Sequence, residues 1–215
     1  MSRPPRPRTR LRRAHARGRH DRETIDAILD AQPVCHIAYL RDGTPAVLPT
    51  LQWREGDHVY WHGSSASRAL RAQDGAEVCL AVTLLDGYVL ARSAFHHSVN
   101  YRSVMIYGRA RRIEDPGRKL RHLETFFDRL LPGRWPTLRP MTEQELKATA
   151  VLRLPVEEAS AKIRTGPPVD EEADYALPIW AGVLPVREVI GTPVPDPRNP
   201  EGVEPPEALR VSRTG

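Results

Sequence analysis

The residues with the clearest capacity for chemistry lie at a strand-to-helix handover, Val59-Tyr60-Trp61-His62-Gly63-Ser64-Ser65-Ala66-Ser67-Arg68-Ala69-Leu70. An aromatic strand ends in a glycine, and small hydroxyl residues then open a helix with an arginine in its first turn. A helix start leaves backbone N–H groups unpaired, and the helix dipole adds partial positive charge there. With the hydroxyls of Ser65 and Ser67 and the fork of Arg68, such a turn suits a phosphate dianion. Gly63 lets the backbone approach a ligand. An ordinary helix cap with a solvated arginine has the same residue pattern. A second stretch, Arg92 to Ala110, crowds Phe95, His96, His97, Asn100, Tyr101 and Arg102 at the mouth of an otherwise apolar strand. Such a mouth can place donors on the carbonyl oxygens of a ring. A third, Leu177 to Val186, carries Trp180 in an apolar segment, which core packing alone would also explain. The pair His96-His97 has no third ligand at a sensible spacing, so no metal is expected.

These residues need elements to position them. Asp21 is placed to cap a short helix with Ile25, Ile28 and Leu29 on one side, stopped by Pro33. Strands are expected over 34–40, 45–53, 58–62, 77–85, 88–94, 99–113, 150–165 and near 178–186, most of them separated by turn residues. Helices are expected over 66–73 and 117–131, and Thr142 to Glu145 has capping-box spacing for another. About eight strands with short turns and few helices point to an antiparallel barrel with peripheral helices, not a βαβ sheet.

Composition bounds the partners. The chain has 215 residues, of which 40% are hydrophobic. That suffices for one domain with tails. No apolar run is long enough for a membrane helix and no secretory signal is visible, so a cytoplasmic protein with no membrane partner is expected. Residues 1–20 hold eight arginines and no acid; against a formal net charge of +5 the remainder sits near −3. The basic character thus belongs to a leader, expected to be disordered over 1–19, and nucleic-acid binding is not expected. The barrel domain is expected over 20–190 and a proline-rich disordered tail over 191–215. Cys35 and Cys79 sit in apolar runs with no zinc spacing and read as buried thiols.

Taken in order, WHGSSASR, FHHSVNYRSVMIYGRA, SAKIRTGPP and PIWAGVLPV resemble the pyridoxamine 5′-phosphate oxidase-like flavoproteins. The likeness is greatest to the branch that includes nitroimidazole-resistance proteins, and it covers roughly residues 20–187. The resemblance implies an FMN-binding split β-barrel that works as a homodimer. It implies that Arg68 and Ser67 hold the FMN phosphate, supported by Trp61, His62 and Gly63. Backbone groups of Val47, Leu48, Pro49 and Thr50 would meet the flavin edge. Asn100, Tyr101 and Arg102 of a second subunit would complete the site, with Trp180 near the flavin. His62 matches a histidine facing the flavin region, either as a proton donor in catalysis or as a structural bond to the phosphate. The Arg-x-His pair of the oxidases proper is missing after Trp180, which argues against pyridoxamine phosphate as substrate. The implied activity is an FMN-dependent oxidoreductase moving electrons from a small-molecule donor to a small flat acceptor such as a nitroaromatic or quinone. The alternative is a binding module of the same fold carrying flavin, deazaflavin or haem without turnover, for which His62, His96 and His97 are available.

Overall fold

The structure is a computed structural model and describes residues 8–9 and 15–206. Its strands are β1 (Gly18–Arg19), β2 (Val34–Arg41), β3 (Thr44–Glu55), β4 (His58–Ser64), β5 (Glu77–Leu90), β6 (Ser98–Arg109), β7 (Arg111–Arg112), β8 (Thr149–Pro155), β9 (Glu158–Arg164) and β10 (Gly182–Pro185). Its helices are α1 (Arg22–Ala31), α2 (Arg68–Gln73), α3 (Pro116–Leu130) and α4 (Glu143–Ala148). All strand pairs are antiparallel, in the order β1-β9-β6-β5-β2-β3-β4-β8-β7, with β10 added to β5. β8 and β9 are joined by a two-residue turn yet do not pair: β8 lies on β4 and β9 on β6. The chain therefore steps between the two ends of the sheet, which curls the sheet into a barrel.

Alternation along each strand sets what lies inside. Cys35, Ile37, Leu80, Val82, Val104, Ile106, Leu152 and Leu154 are fully buried in one core, and Ile25, Ile28 and Leu29 of α1 plug it. Asp21 caps α1, its carboxylate accepting from the Thr24 amide at 2.9 Å. A second core lies outside the barrel wall, where Leu123 and Phe126 of α3 cover Trp53, Tyr60 and Val151. Thr142 and Glu145 form a complete capping box on α4.

Several expectations about elements change. The Asp86-Gly87 turn is instead a bulge within one long strand, β5. The Asp86 carboxylate takes the Arg102 guanidinium at 2.7 Å. Gly87 leaves room for β10, since a Cβ there would sit 2.9 Å from the Leu184 carbonyl oxygen. The segment 150–165 is two strands, and 178–186 holds only the four-residue β10. The basic leader is partly laid on the barrel. His15–Arg17 form a 3-10 turn, β1 pairs with β9, and the Arg8 guanidinium donates to Glu158 at 2.6 Å and to Glu77 at 3.2 Å. Residues 1–7, 10–14 and 207–215 fall outside the described residues. Residues 191–206 hold turns and no helix or strand.

Candidate functional site

The barrel wall opens beside β3. On one side β3 pairs with β2 along Thr44–Leu51. On the other it pairs with β4 only from Gln52 to Glu55, the last rung being Gln52 with Trp61. Beyond that rung β4 stays with β8, from His62 opposite Val151 to Ser64 opposite Thr149. The two strands thus diverge, and among the described residues Thr44–Leu51 has no strand on its outer side. Half of the backbone N–H and C=O groups along that edge are left for another partner. Val47, Leu48, Pro49 and Thr50 line one lip of this opening; His62, Gly63 and the turn into α2 line the other.

The turn is tightly built. The Ser65 amide donates to the Ala148 carbonyl at 2.7 Å and the Ser67 amide to the Ser64 carbonyl at 3.0 Å. The Ser67 hydroxyl accepts from the Leu70 amide at 3.4 Å, and the Arg71 Nε donates to the Ser65 carbonyl at 3.1 Å. Arg68 is exposed and has no hydrogen bond or ion pair among the described residues. Its guanidinium is therefore free of protein partners among the described residues. Ser67 already acts as the helix cap, so its hydroxyl would be shared with a ligand. α2 has only six residues; its dipole contributes little beyond these groups.

Two neighbouring residues have packing roles that sequence alone did not show. Trp61 is fully buried in the barrel, its Nε1 donating to Gln73 Oε1 at 2.9 Å and fastening α2 to β4. Only its backbone reaches the split. At Gly63 a Cβ would stand 3.1 Å from Leu70 Cδ2, so the glycine makes space for the helix side chain.

His62 faces α3. Its ring lies 4.8 Å from Phe126 and 5.9 Å from Trp53, centroid to centroid. Its Nδ1 is buried without a partner, and burial lowers its pKa below the ordinary imidazole value. Nearby, His122 donates to Glu55 at 2.9 Å, and Glu55 also accepts from Trp53 Nε1 at 2.6 Å. Tyr60 stacks on His122.

The remaining predicted residues cluster elsewhere. Asn100 is buried, bonded to Arg164 and to the Gly166 carbonyl at 3.1 Å. Arg102 is held by Asp86, and Tyr101 is half-buried beside it. Trp180 is 67% exposed and lies over Gly182, where a Cβ would come within 2.8 Å of its ring. Asn100, Tyr101 and Arg102 lie on β6, separated from the split by β5 and β2, and Trp180 leads into β10 on the opposite edge of the far half of β5. In their own chain they are apart from Arg68.

Sequence reading missed Asp170. Its carboxylate is enclosed and accepts from the Arg92 amide at 2.9 Å and guanidinium at 3.0 Å. Burial alone would raise this carboxyl; the Arg92 bonds outweigh it and hold the pKa below the usual range. The clamp fixes the loop that presents Phe95, which is 90% exposed. An aspartate after a Gly-Pro-Pro loop carries no signal of such a partner. Cys35 is buried, its thiol pushed up to about 12 by desolvation. Among the described residues no three His, Cys, Asp or Glu side chains gather to hold a metal, and no helix is long and apolar enough to cross a membrane.

A family model described as pyridoxamine 5′-phosphate oxidase matches residues 21–163. The structure of the flavocytochrome Anf3 from Azotobacter vinelandii is 51% identical, covering 98% of this chain and 99% of its own, with a TM-score of 0.94. The FAD and heme binding protein from Mycobacterium smegmatis is 36% identical over 93% of this chain and all of its own, with a TM-score of 0.87. A candidate 5-nitroimidazole antibiotic resistance protein from Bacteroides thetaiotaomicron is similar in fold, with 21% identity over 68% of this chain and 86% of its own and a TM-score of 0.56. Among curated proteins no sequence match is found. The split between β3 and β4, the serine-arginine turn at its mouth and these matches agree: the chain belongs to the flavin-binding split-barrel proteins of the pyridoxamine 5′-phosphate oxidase family.

Proposed function

We propose that this protein is a homodimeric flavin-binding redox protein of flavocytochrome type, with the flavin in the split between β3 and β4. The observation that carries the reading is the unpaired outer edge of Thr44–Leu51 facing a turn whose Arg68 has no protein partner. The edge offers backbone donors and acceptors to a ring, and Arg68 with Ser67 offers charge and a hydroxyl to a phosphate. A flavin supplies hydride and single-electron chemistry; the protein supplies placement and exclusion of water. The 51%-identical relative is called a flavocytochrome and the 36%-identical one an FAD and heme binding protein. The second of those names favours FAD over the FMN that the sequence resemblance implied, with haem as a second group.

His62 is the residue best suited to such a group. Its half-buried ring in an aromatic cluster has one nitrogen unpartnered, and it is mostly neutral at neutral pH. A neutral imidazole can ligate haem iron or donate a hydrogen bond to a nearby acceptor. His97 is spoken for at Nδ1 by the Ser93 carbonyl, at 2.9 Å.

A second copy of the chain fits the outer face of the sheet. Val34, Leu40, Val47, Leu85 and Met105 are exposed there on β2, β3, β5 and β6, apolar surface that a partner could cover. In this reading Asn100, Tyr101 and Arg102 of a second copy would complete the split, with Trp180 near the flavin, and the acceptor would be a small flat molecule such as a nitroaromatic or quinone. The test is the absorbance of the purified protein together with its mass in solution. Flavin bands, a Soret band and a dimeric mass are expected. A colourless monomer that takes up neither group would overturn the reading.

A further inference from the structure

We propose that Arg164 and Arg17 form a binding site for a phosphate or carboxylate group of a cofactor seated in a second copy's split. The inference rests on the flavin and dimer reading above, and it adds the groups that would tell FAD from FMN.

Arg164 ends β9 and is 9% exposed. Its Nη1 donates to Asn100 Oδ1 and to the Gly166 carbonyl at 3.4 Å, and its Nη2 to the Pro167 carbonyl at 3.2 Å. All three acceptors are neutral. Among the described residues no carboxylate pairs with Arg164, whereas Arg92 and Arg102 nearby have Asp170 and Asp86. Enclosing a cation without a counter-charge is costly. Of the five N–H donors of a guanidinium these bonds use three, and the unbonded Nε is not sealed from solvent.

The leader brings a second cation to the same place. The turn His15–Arg17 and β1 lie along β9, with Gly18 opposite Lys162. Arg17 is half-buried and has no hydrogen bond or ion pair among the described residues. Burial first, and then the charge of Arg17, lower the Arg164 pKa below the ordinary guanidinium value. Two like charges held together with no acid between them favour an incoming anion, and the planar edge of a guanidinium suits the paired oxygens of a phosphate or carboxylate.

The position links these arginines to the cofactor. Arg164 bonds Asn100 and stands opposite Tyr101 in the register of β6 and β9. Those two residues are assigned above to complete a second copy's split. FAD has one phosphate more than FMN. With the first phosphate on Arg68 of one subunit, the second would fall to Arg164 and Arg17 of the other. A haem propionate in the same interface is the other source of such an anion.

The full-length protein, purified with its bound groups, is incubated with mixtures of FAD and FMN, and the flavin retained is identified by mass spectrometry. Haem transfer to apomyoglobin is timed from the Soret band. The two flavins carry nearly equal charge, so a loss of general attraction cancels in their ratio. The wild type is expected to prefer FAD, and Arg17→Ala and Arg164→Gln each to cut that preference about tenfold, the effect of one charge-assisted hydrogen bond. Haem leaving about tenfold faster with the flavin preference intact would instead assign the anion to a propionate, and the site stands. Arg17→Ala breaks no protein bond, so it decides the matter even if Arg164→Gln does not fold. Unchanged flavin preference and unchanged haem transfer in Arg17→Ala would overturn the site while leaving the flavin reading intact. A wild type that holds neither flavin nor haem would overturn both.

Discussion

Replacing Arg68 by alanine separates ligand binding from folding better than any other change in this chain. Arg68 is exposed, and among the described residues it bonds to nothing. Its loss should therefore leave the melting temperature of the apoprotein within about 2 °C of wild type. A bound phosphate would lose charge-assisted bonds from the guanidinium. One such bond surviving solvent screening corresponds to about tenfold in Kd, and a bidentate pair to about a hundredfold. Titration of apoprotein with FAD, followed by quenching of flavin fluorescence, should show a weakening in that range, with Arg68→Lys intermediate because it keeps the charge but not the fork. Raising the salt should weaken the wild type more steeply than the variant. Arg71→Ala is the contrast: Arg71 ties the turn together through the Ser65 carbonyl, so that change should lower stability as well as affinity. An unchanged Kd in Arg68→Ala would refute the placement of the phosphate.

Three further outcomes follow from packing and titration. Gly87→Ala should push the Leu184 backbone away and free β10, seen as faster amide exchange over Gly182–Pro185 with the barrel core unaffected; unchanged exchange would contradict the close approach. Asp170 has a depressed carboxyl, so its contribution to stability is full above the ordinary carboxylate range and is lost as pH falls through the lowered folded value. Asp170→Asn should accordingly destabilise at neutral pH and converge on wild type in strong acid by denaturant melts; a gap that persists in acid would count against the clamp. His62 has a depressed imidazole, so the unfolded chain protonates first and stability should fall as pH drops through the ordinary imidazole range. His62→Phe should flatten that slope between about pH 7 and 5 without removing it, because His58 is lowered by burial in the same way; an unaltered slope would mean His62 is not buried neutral.

Local signals carried much of the fold. Asp21 and Thr142 sit at helix starts and each side chain does accept from the amide three residues on. Alternating apolar residues marked β2, β4 and β6, whose inward positions are fully buried. Asp86-Gly87 misled because a turn dipeptide also suits a bulge, and only the arrival of β10 tells the two apart. Trp61 was legible as part of the handover but not as core, because the strand's phase is set by which face α3 covers. His62 was legible as an unusual histidine; that it packs against Phe126 depends on a helix 60 residues away in sequence. Asp170 was invisible, since it acquires its role from a partner brought near only by the closed barrel.

The central claim is that the split between β3 and β4 holds a flavin. It is tested most directly by releasing the bound groups from purified protein by acid and identifying them by mass spectrometry, alongside the spectrum of the intact holoprotein. The account predicts stoichiometric FAD, about one per chain, with a haem Soret band in the same sample. A protein that releases no flavin, and whose apo form binds neither FAD nor FMN when they are supplied, would contradict it.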